Sequence, residues 1–362
     1  MAEDVVTLLS DTETQPTPGM RAAMMAAEVG DEQKGEDPTV RLLQDRVAGL
    51  LGKEGALWLP SGTMCNLVAV KSQTQPGDAI VADWMAHVIR AESGGAALAS
   101  GVRVEPIQTE RGIFTVDELK EAVGRTVTVP PPYGQPVRLV CVEQTHNFGG
   151  GAIWPLDELR VVSDYARKHK MLLHMDGARL LNACVATGVP AADFSATVDS
   201  VWIDFTKGLG APIGAVLAGT KDLLREARRY KQLFGGAMRQ AGIAAAGCLY
   251  AMDHHVDRLA EDHEHARLLA RGLLTVNGIH VHTPTPETNM VFFDVHALGV
   301  SNERFVDLMA ASGVRMSQTG RAIRAVTHLD VSRRGIDRAL NVVREVATNL
   351  NEEKVDRNES PL

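Results

Sequence analysis

The sequence predicts an α/β protein: a mostly parallel sheet flanked by helices in a large N-terminal domain, then a smaller α+β C-terminal domain. Three observations lead there. Short, nearly continuous apolar runs recur between residues 56 and 205, the texture of strands buried on both faces. Helix-period segments separate several of them, and that alternation makes neighbouring strands parallel. After about residue 220 the rhythm changes to long helical stretches with few strands.

The elements follow in order. Asp37-Pro38 opens a helix, with Asp37 as cap and Pro38 where its missing N–H costs nothing. Val40, Leu43, Val47 and Leu50 recur at helical spacing until Gly52 stops the run. "ALWLP" (56–60) reads as a strand and "SGTMCNLVAVKSQT" (61–74) as a helix. Further strands are expected at 79–83, 103–107, 138–144, 171–176 and 200–205, with a helix at 156–169. Residues 238–274 read as helical with one break, followed by a strand at 289–295 and a helix at 302–313. A strand at 322–331 and a helix at 336–350 complete the pattern. The expected division is 1–250 for an N-terminal arm and large domain, 251–350 for the small domain, and 351–362 for a polar, frayed tail.

A chain of 362 residues, 45% hydrophobic and 23% charged, is an ordinary globular composition. The net charge of −8 and the lack of a dense basic stripe argue against a nucleic-acid partner. No run approaches the roughly 20 apolar residues of a membrane span. The N-terminus has no secretory pattern, and Cys65, Cys141, Cys184 and Cys248 form no CxxC pair. That usage fits a reducing cytoplasm, with neither a disulfide framework nor a zinc site.

Polar clusters fall where the predicted strands end, which is where open parallel sheets bind ligands. Ser61, Gly62 and Thr63 begin a helix and offer either a plain N-cap or a phosphate cradle. "HMDGAR" supplies His174, Asp176 and Arg179; "VEQTHNFGGG" supplies Glu143, His146 and Asn147; "MAHVIRAE" supplies His87 and Glu92. Each alone reads as an ion pair, a turn histidine or a surface helix. "DFTKGLGAPIG" then sets Lys207 at the end of an interior strand, before a glycine turn. Lysine is rarely buried without a purpose. An amine for a Schiff base, an acid for a pyridine nitrogen and a phosphate cradle are together the parts that hold pyridoxal phosphate.

With these motifs in hand, the sequence resembles the low-specificity threonine aldolases of the β-eliminating lyase group. The likeness runs from "LLSDTETQPTPGMRAAM" through "GEDPTV", "PSGTMCN", "THNFGGG", "HMDGARLLNA", "KGLGAPIG" and "MRQAGI" to "IRAVTHLDVS". It implies the aspartate-aminotransferase-like architecture, fold type I of the pyridoxal-phosphate enzymes. It also implies that Lys207 bonds the cofactor, Asp176 pairs with its ring nitrogen and Arg179 meets its 3-hydroxyl. Ser61, Gly62 and Thr63 would hold the phosphate, joined by Arg239 from a neighbouring subunit. His87 would stack on the ring, and His87 or His146, the latter through water, would act as base. Ser10 and Arg324 would take the substrate carboxylate, and Arg179 would also bind the substrate. The implied reaction is retro-aldol cleavage of threonine or allo-threonine to glycine and acetaldehyde, in a homodimer or homotetramer with interface sites. β-Elimination or racemisation of another small amino acid is the alternative. Three positions depart from the family pattern: Leu9 and Phe148 replace arginines, and Lys34 stands where many members have tyrosine.

Overall fold

Seven short apolar segments make the central sheet, and their order decides what gathers at its edge. The computed structural model describes residues 5–127, 129, 133–320 and 322–359, the side chains of 353 and 355–359 excepted. Within them the strands are β1 (Gly55–Leu59), β2 (Ala79–Asp83), β3 (Arg103–Ile107), β4 (Val137–Glu143), β5 (Leu172–Asp176), β6 (Ser200–Asp204) and β7 (Ala215–Gly219). Their spatial order is β1-β7-β6-β5-β4-β2-β3. Strands β6, β5, β4, β2 and β3 run parallel, and β7 lies antiparallel between β6 and β1. β2, β6 and β7 are buried throughout, and β5 beyond its first residue, as expected of a sheet covered on both faces.

The flanking helices begin and end where the sequence places their signals. Asp37 Oδ1 accepts from Val40 N at 3.0 Å, Pro38 is the first helical residue, and Gly52 closes the helix Pro38–Leu51 at φ 61°. Helices Gly62–Gln73 and Leu156–Lys168 match their predicted spans to within a residue or two. Strand β7 and the helix Lys221–Leu233 were outside the predicted set. β7 follows β6 after only ten residues, too few for a helical crossover, and so returns antiparallel.

The chain divides into two units: Pro16–Val256, and Met1–Gln15 together with Asp257–Leu362. The expected boundary near 250 is close, but the N-terminal arm belongs with the C-terminal segment. The reason is a strand: Val6–Thr7 pairs in parallel with Val314–Arg315. Val6 and Leu8 are buried in the same apolar cluster as Val314, Ile336 and Val343. A four-stranded antiparallel sheet joins Ser317–Thr319, Ala322–Val326, Met290–Asp294 and His280–Val281 in that spatial order. The last helix is longer than predicted, Arg333–Glu359, so the expected tail is helical as far as residue 359. Residues 360–362 lie outside the described residues. Among the described residues no helix is long and apolar enough to cross a membrane.

Candidate active site

Four adjacent parallel strands each end on a carboxylate. Asp204, Asp176, Glu143 and Asp83 are the last residues of β6, β5, β4 and β2, neighbours in that order, and Glu143 is the register partner of Asp176. All four are buried. Packing like charges on one buried edge is unfavourable unless donors and cations are supplied. The candidate site is the set of groups that supply them.

Lys207 answers Asp204, its Nζ 2.8 Å from Oδ2, while Thr206 donates to Oδ1 from both N and Oγ1 at 2.9 and 2.7 Å. The lysine amine also lies 5.7 Å from the centre of the Trp202 ring. His146 answers Asp83 and Glu143. Its Nδ1 accepts from Gly149 N at 3.0 Å, which places the proton of the neutral ring on Nε2. That atom is 3.2 Å from Asp83 Oδ1 and 3.9 Å from Glu143 Oε2, off the line of a good hydrogen bond. Burial opposes charging this imidazole, but the two carboxylates outweigh it and raise the pKa. Gly112, at φ 78°, admits the ring, since a Cβ there would sit 2.0 Å from His146 Cγ.

Asp176 is held by neutral donors. Asn66 Nδ2 reaches its Oδ2 at 2.8 Å, and Ala178 N reaches its Oδ1 at 3.0 Å. Burial, then the like charge of Glu143, push this carboxyl up to about 6, against the pull of His87, Lys207 and Asn66. The other amide proton of Asn66 goes to Glu92 Oε1 at 2.6 Å, and Glu92 Oε1 meets His87 Nδ1 at 2.8 Å. With Nδ1–H donating to the carboxylate, the lone pair of neutral His87 lies on Nε2. Burial lowers the His87 pKa, but the Glu92 hydrogen bond and the charges of Asp176, Glu92 and Glu143 leave it raised. The backbone N of His87 donates to Glu143 Oε2 at 2.8 Å, tying the two strand ends together.

At the helix start, Ser61 Oγ accepts from Met64 N at 3.3 Å, so the cap is real. It satisfies the third helical N–H and leaves those of Gly62 and Thr63 at the positive end of the helix. Gly62 has a packing reason as well: a Cβ there would come within 2.3 Å of the Trp202 ring. Arg179 is buried and its N donates to the Gln144 carbonyl at 3.0 Å, in the turn after β4. Ser61, Gly62, Thr63, His87, His146, Asp176, Arg179 and Lys207 thus all fall at or just after strand ends of one sheet. Arg239 is exposed and pairs with Asp31 Oδ2 at 3.0 Å. Ser10 and Arg324 lie in the smaller unit, where Arg324 Nη2 donates to the Leu9 carbonyl at 3.3 Å and Ser10 Oγ accepts from Thr12 N.

Asn66 and the carboxylates Asp83 and Asp204 were not among the predicted site residues. The acids had a visible signal, an apolar run closed by an acidic residue in "AIVAD" and "VWID". Asn66 had only its place one helical turn after Ser61-Gly62.

The donor set fits pyridoxal phosphate. Asp176, buried against neutral donors and raised in pKa, is suited to a partner that brings a positive N–H. Lys207 and His87 are near enough to it to act on its charge. A helix start with unspent N–H groups serves a phosphate.

Comparison with known proteins agrees. The family model described as "Beta-eliminating lyase" matches residues 7–297. A low specificity L-threonine aldolase of Escherichia coli K12 is 38% identical over 331 residues, 91% of this chain and 95% of that protein. Low-specificity L-threonine aldolase 1 of Arabidopsis thaliana is 38% identical over 294 residues, 80% of this chain and 81% of that one. The solved threonine aldolase of Leishmania major superposes with a TM-score of 0.78 at 21% identity, covering 94% of this chain and 99% of that one, which supports the fold. By motif order, strand-end chemistry and these matches, the chain belongs to the β-eliminating lyase family.

Proposed function

We propose that this protein is a pyridoxal-phosphate-dependent aldolase that cleaves threonine or allo-threonine to glycine and acetaldehyde. The observation that carries the reading is Lys207, held 2.8 Å from Asp204 on the same sheet edge as the buried, raised Asp176. The relatives at 38% identity support the substrate class by their names. The cofactor supplies, when bound, a ring able to accept the electron pair of a breaking Cα–Cβ bond.

The chain's own residues do the rest. Lys207 is the point of covalent attachment, and Asp204 holds its amine in place. Asp176 keeps the proton on the ring nitrogen, with Asn66 fixing the carboxylate plane. Ser61, Gly62 and Thr63 receive the phosphate, and Arg179 the ring's hydroxyl. His87 Nε2 carries the lone pair that takes the β-hydroxyl proton of the substrate. His146, the other base candidate, has its Nδ1 taken up by Gly149 N and its Nε2 turned to Asp83 and Glu143, so its part is to hold those two carboxylates in place. Ser10 and Arg324 receive the substrate carboxylate, so the bond to be broken is chosen by how that group is placed. Arg239, exposed and ion-paired with Asp31, would reach a neighbouring subunit's phosphate site in a homodimer or homotetramer. Four free cysteines, three of them buried, support a reducing compartment such as the cytoplasm.

The test is a product assay with purified holoenzyme and threonine. Stoichiometric glycine and acetaldehyde are expected; ammonia and a keto acid would assign β-elimination instead. Lys207→Ala is expected to abolish both turnover and the visible absorbance of the bound cofactor. Turnover above trace in that variant would remove Lys207 from the mechanism.

A further inference from the structure

The smaller unit carries a second cluster of ionisable groups, on the edge of its four-stranded sheet. His280 belongs to the edge strand His280–Val281, and His282 follows it with its N donating to the Phe292 carbonyl at 2.7 Å. Residues two apart on a strand share a face. Asp294 is the register partner of His280 on the neighbouring strand, and so presents its side chain on that face too. His282 Nε2 lies 3.1 Å from Asp294 Oδ2, and the two imidazoles pack edge to face with centroids 4.8 Å apart. One ligand atom from each of the three residues lies within 4.8 Å of the others.

We propose that His280, His282 and Asp294 bind one divalent first-row transition-metal ion of the Zn²⁺ class. Two imidazoles and a carboxylate are the ligand mixture such ions take, whereas Mg²⁺ and Ca²⁺ favour oxygen-only shells. Bonds of about 2.0–2.2 Å put tetrahedral ligand atoms roughly 3.4 Å apart. The His282–Asp294 pair is already at 3.1 Å, and the His280 ligand atom lies within 4.8 Å of both. Both histidines are exposed, so an ion reaches them from solvent and a water completes the shell. Bound there, the ion clips the two-residue edge strand to Met290–Asp294 and stabilises the folded unit by mass action.

The experiment uses untagged holoenzyme in a chelator-treated, phosphate-free buffer, titrated with Zn²⁺ by calorimetry. The same titration is run on His280→Asn/His282→Asn and on Asp294→Asn, with glycine formation measured in the absence of metal. The wild type is expected to bind one Zn²⁺ per chain saturably, with a Zn²⁺-dependent rise in Tm that Mg²⁺ does not give. The double variant is expected to lose that step and the Asp294 variant to weaken it at least about tenfold, with metal-free activity unchanged in both. Equal binding by the wild type and the double variant overturns the proposal, as does the absence of saturable Zn²⁺ binding by the wild type.

Discussion

Asn66 uses all its side-chain hydrogen-bonding capacity inside the protein. Its amide donates to Glu92 and Asp176, while its Oδ1 accepts from Trp202 Nε1 at 2.7 Å and meets His174 Nε2 at 3.1 Å. His174 Nδ1 in turn meets Ser200 Oγ at 2.8 Å, so one chain of bonds runs from inside the sheet to His87. A fully satisfied buried network specifies geometry, and breaking it at its centre strands several groups at once. Asn66→Leu is expected to cost at least about 2 kcal/mol, from two or more buried groups at about 1–3 kcal/mol each. Chemical denaturation of the apoprotein reads this directly. A second prediction concerns pH. Glu92 raises the His87 pKa above its usual 6.5, and a base must be neutral to take a proton. The acid limb of kcat/KM therefore lies above pH 6.5, and Glu92→Gln moves it to lower pH by withdrawing the charge. An unmoved limb would assign the titration to another group, with His146 next. Lys207, Asp176 and the histidines were legible because rare residue types stood at strand ends. Asn66 was not, because its partners come from two strands and a loop that lie 26 to 136 residues away.

At the scale of elements, the sheet was readable as short apolar runs separated by helices, and its parallel members fell within a residue or two of expectation. The antiparallel β7 was missed because "AVLAG" follows a glycine-rich turn and is mostly Ala and Gly, residues of low strand preference. The helix Lys221–Leu233 packs beside β1 and carries a different device. Lys231 is fully buried, 2.6 Å from Glu32 Oε1 and 5.0 Å from the Trp58 ring centre. Burial lowers its pKa and Glu32 partly restores it. Glu32 Oε2 also accepts from Met238 N at 3.1 Å, linking the segment 31–35 to the loop that bears Arg239. Glu32→Ala leaves a buried ammonium unpaired and is expected to cost about 3–5 kcal/mol. If thermal melts show less than 1 kcal/mol, the pair is not what anchors that loop. A double Glu32→Leu/Lys231→Met change should recover most of the loss, since an apolar pair removes the stranded charge.

For the whole molecule, the division at Gln15/Pro16 and Val256/Asp257 means that one unit is continuous in sequence and the other is not. Chain length and the change of rhythm near residue 220 led to an expectation of two domains, yet nothing in a short stretch such as "VVTLLSD" states which unit it will join. Pairing partners three hundred residues away are invisible to local patterns. Leu8, wholly buried among Val314, Ile323 and Val343, tests the assignment. Leu8→Ala is expected to cost about 2–5 kcal/mol and to loosen amide protection chiefly in residues 257–359. Protection lost instead in 16–256 would place the arm with the other unit. The pairing of Val6–Thr7 with Val314–Arg315 also carries a meaning for synthesis on the ribosome. At roughly 5–20 residues per second, the opening strand waits on the order of 15–60 s for its partner to be made. Meanwhile Pro16–Val256 emerges as one stretch and can fold, leaving a short apolar leader that nascent-chain binding factors must keep from pairing elsewhere.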